Sequence, residues 1–382
     1  MSKSMRLAEI TNLEELRSLV PAWRELYEAV PGADLFLGPD WLMPWCETFG
    51  ADEGLRILAV SAGERLAGLL PLKWSSRRFR VLTFAGLPQS DRLDLLALPD
   101  REAEVLETVA QWLASRKDWD MIFLRAFGVF SRNPESLAGL LGRAGLKAEL
   151  KPDSVYPYLD MADTEFMDYM HGHFNKKRRI EFFRFRRKVV KDFPDMAFET
   201  SGEMRENDLE EMRDLNLHRS ERGRQEESFF LGNGNMDFLR RICAQSANNG
   251  RLIRFSYRDG TRLCAYLFCW VHNRTLMPYL TSFDQQYSRY TLGTLTVIGA
   301  LEQLRELGLR ELDFLEGNEA YKFRFTTTVR ESRRMVCFNR TLRGRVLNLL
   351  MRMQPAMKRL AGKGGLFAPL AWARNLYRRM VS

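Results

Sequence analysis

Histidine is scarce and cysteine unpatterned in this 382-residue chain, which has four His and five Cys. Cys46, Cys243, Cys264, Cys269 and Cys337 are odd in number. They form no Cys-x-x-Cys pair and have no His-x-x-x-His nearby, so neither a disulfide framework nor a metal site is expected. Long apolar runs are missing too, and none approaches the roughly 18 residues that a membrane span needs. The first twenty residues interleave Arg6, Glu9, Glu14, Glu15 and Arg17 with apolar positions, unlike a secretory leader. The expectation is a cytoplasmic protein.

Acidic residues vanish at the end of the chain. Residues 332–382 hold twelve Lys or Arg and no Asp or Glu. The formal net charge of +9 less these +12 leaves about −3 on the first 331 residues, so the basicity belongs to the tail.

What is present is enough for two domains. The length exceeds one average domain, and an apolar share of 45% supplies two ordinary cores. Helix and strand signals alternate over 1–150: Leu13–Ala29 and Trp41–Phe49 read as helices, Leu55–Ser61 and Leu66–Lys73 as a hairpin about Gly63, Val105–Arg116 as a helix, and Met121–Leu124 as a buried strand. A second series opens with a strand at Tyr156 and a helix from Thr164. It continues with helices at Leu209–Arg219 and Phe238–Ala247, a hairpin about Asp259-Gly260 and a strand at Thr275–Thr281. The boundaries expected are 1–150, 151–340 and a tail at 341–382, and the class is α/β.

The densest signal runs from Phe283 to Thr326. A polar loop with Gln285, Gln286, Tyr287 and Ser288 leads through Thr291, Leu292, Gly293 and Thr294 into a helix. Its apolar positions are Leu295, Ile298, Leu301 and Leu304, and Gly308 is the expected C-cap. Free N–H groups at such a helix start suit an anion such as a pyrophosphate. A short strand at Glu311–Leu315 then delivers Asp313, Glu316, Glu319, Tyr321 and Lys322 within ten residues.

This order of parts resembles the acyl-CoA-binding half of the GNAT N-acyltransferases. It is most similar to the BioF2-like, or cellulose-biosynthesis-type, acetyltransferases related to the Fem-type transferases. The resemblance rests on Phe283, Asp284, Tyr287, Ser288, Gly293, Gly308, Asp313, Phe314, Leu315, Gly317, Glu319, Tyr321, Lys322 and Phe325. Where that subgroup often has Ser-Pro-Gly, this chain has Thr291-Leu292-Gly293. The resemblance implies two tandem GNAT-like domains, each a mixed, mostly antiparallel sheet flanked by helices, followed here by a basic amphipathic tail. It also implies an N-acyltransferase with no permanently bound cofactor, whose donor is acyl-CoA or an acyl carrier protein thioester. Phe84–Leu96 is the first-half counterpart, with Asp91 and Asp94 but no comparable helix entry.

In a GNAT-type reaction a neutral amine attacks the thioester carbonyl while a base removes its proton and donors hold the oxyanion. Tyr287, Ser288, Arg289, Gly293 and Thr294 are the candidates for holding the donor. Asp313, Glu316, Glu319, Tyr321, Lys322 and the histidine His218 are the candidates for chemistry. The spacing leaves the choice of base open, and a strand-end ion pair such as Glu319 with Lys322 explains part of the cluster equally well.

Two basic stretches seek partners. Asn175–Lys191 carries nine Lys or Arg beside Phe182, Phe183 and Phe185, and reads as a solvated helix with one apolar face. No nucleic-acid motif accompanies it, so nucleic acid is not the expected partner. In the tail, Val346, Leu347, Leu349, Leu350, Met353, Met357 and Leu360 recur at helical spacing among Arg345, Arg352, Lys358 and Arg359; Leu366, Phe367, Leu370, Trp372 and Tyr377 follow. This composition fits an anionic membrane surface, so the protein is expected at the inner face of the cell membrane. The acceptor is then an envelope intermediate, either a sphingoid-type long-chain amine, as in a bacterial ceramide synthase, or an amino sugar of an exopolysaccharide precursor. A Fem-type aminoacyl-tRNA-dependent ligase and a non-catalytic membrane-associated binding protein are the alternatives.

Overall fold

The computed structural model describes residues 4–75, 79–205, 207–221, 228–247 and 250–361. The chain divides into two compact units, 1–154 with 331–382, and 155–330.

In the first unit, β1 (Met5–Ile10) leads into α1 (Leu13–Ala29), where Asn12 accepts the Glu15 N–H at 2.9 Å and Glu14 and Glu15 sit at the positive helix end. Helix α2 (Pro39–Glu53) follows, then β2 (Ile57–Ala62), β3 (Arg65–Leu70), β4 (Leu72–Trp74), β5 (Val81–Phe84), β6 (Leu96–Ala97), α3 (Glu102–Ser115), β7 (Met121–Leu124), α4 (Asn133–Arg143) and β8 (Ala148–Asp160), which passes through the division at Ser154. The hairpin of β2 and β3 turns at Gly63 with φ +67°, as expected from sequence. One sheet has the order β1-β2-β3-β6, with β1 antiparallel to β2 from Met5↔Ala62 to Ile10↔Ile57.

The loop at Phe84–Leu96 is held by buried polar contacts. Trp41 and Trp45, one turn apart on α2, donate their indole N–H groups to Ser90 Oγ (2.9 Å) and Gln89 Oε1 (2.8 Å), and Lys73 Nζ donates to Leu87 O (3.1 Å). Asp94 is buried and accepts from Asn133 Nδ2 at 2.9 Å and from the Leu95 N–H at 2.7 Å.

The second unit continues with α5 (Phe166–His173), α6 (Lys176–Asp192), β9 (Met196–Ser201), α7 (Asp208–Glu221), α8 (Asn235–Ala247), β10 (Leu252–Asp259), β11 (Arg262–His272), β12 (Thr275–Phe283), α9 (Leu292–Gln303) and β13 (Glu311–Asp313). Its strand order is β8-β13-β12-β11-β10-β9, antiparallel except for β12 with β13. Helix α9 is buried along Leu295–Leu301 and packs with Phe182, Phe255, Leu267, Leu312 and Phe314. It ends at Gln303 rather than running to Gly308: a turn intervenes, closed by Leu309 N–H to Leu304 O (2.9 Å), and Gly308 supplies φ +70° within it. Strand β13 is likewise shorter than expected, because Leu315 has φ +60° and leaves the ladder.

The chain then passes through β14 (Val329–Phe338) into α10 (Leu342–Ala361). In the first unit's other sheet, of order β4-β5-β7-β14, β14 pairs antiparallel to β7 from Met335↔Leu124 to Phe338↔Met121. Leu347 of α10 is buried with Val81, Met121 and Phe123, so it belongs to this core and not to an outward apolar face. The tail residues from Gly362 on, including Trp372 and Tyr377, lie outside the described residues.

Candidate active site

The second unit's sheet opens on one side of β12. Along β11, β12 is paired from Phe283↔Ala265 to Thr275↔His272, but β13 pairs with it only at Thr275↔Glu311 and Leu276↔Leu312. Beyond Leu276 the register gives the two parallel strands no further pairing. From there on that edge of β12 is no longer covered by β13. The register also skips a residue, with Cys269 opposite Pro278 and Phe268 opposite Leu280, so Tyr279 is the extra residue of a bulge in β12. A bulge re-aims backbone N–H and C=O groups, here at the mouth of the gap.

The end of β12 runs into the segment that the sequence marked for the donor. Asp284 caps a 3-10 turn, Gln285–Tyr290, accepting the Gln286 N–H at 3.0 Å, while its own N–H donates to Cys264 O at 2.8 Å. Tyr287 and Tyr290 point down into the core and flank Phe193 at 5.1 and 5.2 Å between ring centroids. The Tyr290 hydroxyl donates to Asp192 Oδ2 at 2.7 Å and accepts from Arg289 Nη2 at 2.9 Å; Tyr287 donates to Asp259 at 3.3 Å. The bond to Asp192 raises the Tyr290 phenol, and burial raises that of Tyr287, so both stay protonated donors. Tyr287 thus anchors the loop from below, leaving Ser288 and Arg289 exposed.

Thr291 turns the chain into α9 with φ +55°, a left-handed conformation uncommon outside glycine. Its carbonyl accepts from Thr294 N (2.9 Å) and Leu295 N (3.0 Å), and its side chain caps nothing. Among the described residues the N–H groups of Leu292 and Gly293 have no acceptor, so the positive end of a twelve-residue helix stays open to an anion. A Cβ at Gly293 would lie 2.9 Å from Phe283 Cδ1, so glycine lets the helix start close against the end of β12.

The second cluster closes the loop after β13. Asp313 is buried and accepts the Leu315 N–H at 2.9 Å. Lys322 is also buried; its ammonium donates to Glu316 O at 2.5 Å and lies 2.9 Å from Glu319 Oε2, outside hydrogen-bond alignment, as an ion pair. Tyr321 packs edge-on to Phe314 at 6.4 Å. The structure thus brings Glu316, Glu319 and Lys322 together and ties Lys322 into the loop's own architecture. His218 sits apart from this cluster in the chain, on α7. It is exposed, with Nδ1 2.7 Å from Asp214 O of its own helix. Helix α7 runs along the end of β12, where Ser282 Oγ donates to Leu215 O at 3.2 Å.

The sequence did not reveal what holds α7 there. Asp208 is buried between Arg254 and Arg258 of β10, accepting from both and from the Arg205 N–H (2.5 Å); Arg258 also donates to Glu211 (2.6 Å) and Thr261 O (2.5 Å). Breaking a buried pair of this kind costs about 3–5 kcal/mol. The bulge at Tyr279 was missed as well, although Pro278 inside an apolar run was its signal.

Residues 176–323, which contain every one of these elements except α5 and β8, match the family described as an acetyltransferase (GNAT) domain. This stretch is a GNAT-type acetyltransferase domain, which supports an N-acyltransferase that takes its acyl group from a thioester donor used as a substrate. No curated protein matches it by sequence. Among solved structures it is similar in fold to FemX (11% identity, 90% of this chain and 99% of the other, TM-score 0.57). It is also similar to the C-terminal domain of a protein described as a lysylphosphatidylglycerol synthetase from Agrobacterium fabrum (13% identity, 88% and 96%, TM-score 0.53). A tandem GNAT protein from the clavulanic acid biosynthesis pathway matches at 13% identity over 87% of this chain and 98% of the other, with a TM-score of 0.46.

Proposed function

We propose that the chain transfers an acyl group from acyl-CoA or acyl carrier protein to the amine of a membrane-borne acceptor, a long-chain amine of the sphingoid type. The parting of β12 from β13 beside the open start of α9 carries this reading. The donor's phosphates lie on the Leu292 and Gly293 N–H groups, with Arg289 and Ser288 at the rim and Thr294 in the first turn. Its pantetheine arm runs along the edge of β12 beyond the last pairing with β13. The thioester carbonyl then reaches the bulge in β12, where the strand changes register and the developing oxyanion would sit.

The acceptor nitrogen attacks that carbonyl, forming the C–N bond. The tetrahedral intermediate collapses with loss of the C–S bond, and the thiolate leaves. The amine's proton passes to a base drawn from Asp313, Glu316, Glu319 or His218, and Tyr321 or Lys322 supplies the proton or charge that steadies the thiolate. The basic tail supports a membrane-borne acceptor, because the nine Lys or Arg of 341–382, with no Asp or Glu among them, favour an anionic surface over a free metabolite.

Titration calorimetry with CoA, with a long-chain acyl-CoA and with an acyl carrier protein thioester tests the donor half. Heat with at least one is expected, and none with all three overturns the reading. Product analysis with a long-chain amine tests the acceptor half: an amide product is expected. Transfer only to an amino sugar, or only in the presence of an aminoacyl-tRNA, replaces the acceptor or the class.

A further inference from the structure

Helix α10 is seated on the first unit by one face. Leu347 is fully buried with Val81, Met121 and Phe123, and Met351 packs against that same cluster, as do Phe79, Val336 and Phe338. Gly344 fixes the roll of the helix, since a Cβ there would lie 2.4 Å from Asn339 O and 3.0 Å from Asp120 O. Arg343 lies 3.4 Å from Asp120 and Arg352 3.6 Å from Glu149.

That seating turns a second apolar face outward. Leu342 (80% exposed), Val346 (44%), Leu349 (59%), Leu350 (36%) and Met353 (45%) follow one another at intervals of four, three, one and three residues. At about 100° per residue they form one continuous stripe. Arg345 and Arg352 border it on one side and Arg343 on the other. Exposed apolar residues scattered singly need no explanation, but a contiguous stripe on a helix marks a contact.

We infer that this stripe is the surface by which the protein docks on an anionic lipid bilayer, the helix lying in the headgroup plane with Leu342, Val346, Leu349, Leu350 and Met353 among the acyl chains. Charge selects this occupant. A second copy laid on the stripe would set the arginines that border it, Arg343, Arg345 and Arg352, against their own copies, and α10 has no Asp or Glu of its own to meet them. The segment 362–382, with Lys363, Arg374, Arg378 and Arg379 and no acid, would do the same within one chain. An anionic bilayer offers both an apolar interior and the opposite charge. The surface deepens the proposed function, and only its purpose, delivery of the enzyme to a membrane-borne amine, rests on that reading.

The test is co-sedimentation of the full chain with phosphatidylcholine vesicles with and without phosphatidylglycerol, beside the double variant Val346→Asp/Leu349→Asp. Both positions are exposed, so circular dichroism and gel filtration are expected to match the wild type. The wild type is expected to partition onto the anionic vesicles at least about tenfold better than onto neutral ones, and the double variant to lose about tenfold or more of that binding. Failure of the wild type to bind, equal binding to both vesicle types, or unchanged binding by the variant each overturns the inference. So does a wild-type dimer that the variant converts to monomer, since a second copy then occupies the stripe. CoA titration of both proteins separates this result from the catalytic reading: donor binding is expected to be equal in the two, and its absence from both would overturn the proposed function while leaving the docking surface standing.

Discussion

At the scale of single residues, the first unit holds a charge that works against its own burial. Burial pushes the Asp94 carboxyl up to about 6, opposed by hydrogen bonds from Ser131, Asn133 and the Leu95 N–H. A carboxyl raised in the folded state binds its proton more tightly there than in the unfolded chain. Stability therefore falls as pH rises between about 4 and 6, and above that the ionised group costs on the order of 3 kcal/mol. Urea midpoints measured near pH 5 and near pH 7.5 are expected to show the higher value at the lower pH, by roughly 1–2 kcal/mol for this group. Asp94→Asn removes the titration, and a slope unchanged in that variant would assign the pH dependence to other groups. Lys322 teaches a different lesson. Sequence spacing offered it for chemistry, and its ties to Glu316 O and Glu319 show a buried cation already used to fold the loop that carries the carboxylates.

At the scale of elements, two glycines of α9 distinguish the proposed donor site from the core. Gly293 meets Phe283 at the open end of the helix, and Gly299 meets Phe198 inside the core, where an added Cβ would lie 2.4 Å from the ring. Gly293→Ala is expected to weaken CoA binding by about tenfold, or 1.4 kcal/mol, with a smaller loss of Tm than Gly299→Ala. Gly299→Ala is expected to cost about 1–3 kcal/mol of stability by overpacking and to leave the affinity of the folded fraction unchanged. Calorimetry and thermal melts of the pair check this, and the reverse assignment would move the phosphate site away from Gly293. The helices and hairpins around this site were legible because their periodicities are strong: α1 is bounded by the residues that its apolar spacing gives, and Asp259-Gly260 turns β10 into β11. What was not legible depends on partners remote in sequence. The gap between β12 and β13 is a matter of register, the clamp on α7 joins Asp208 to Arg254 and Arg258 across 46 and 50 residues, and the inward role of Leu347 is set by Phe123. A one-dimensional pattern marks a helix face as apolar but does not say which of two apolar faces is covered.

At the scale of the whole molecule, the separation of charge along the chain predicts how salt acts on turnover. The catalytic domain match lies in residues 176–323, whereas the excess positive charge lies in 332–382. If the tail and the outward stripe of α10 serve only to bring the enzyme to a bilayer, then salt acts on delivery and not on chemistry. Each basic residue near an anionic surface contributes about 1 kcal/mol, and the range of that attraction shrinks from ~10 Å at 0.1 M salt to ~3 Å at 1 M. Turnover of a long-chain amine embedded in anionic vesicles is expected to fall at least about tenfold across that range. Turnover of a soluble amine by the same preparation is expected to change much less. The soluble reaction also supplies the control, because the donor's phosphates are screened equally in both assays; its KM for the thioester measures that contribution and can be subtracted. Parallel loss in both assays would place the salt sensitivity at the Gly293 helix end, and equal tolerance in both would leave the nine cations of the tail without a part in delivery.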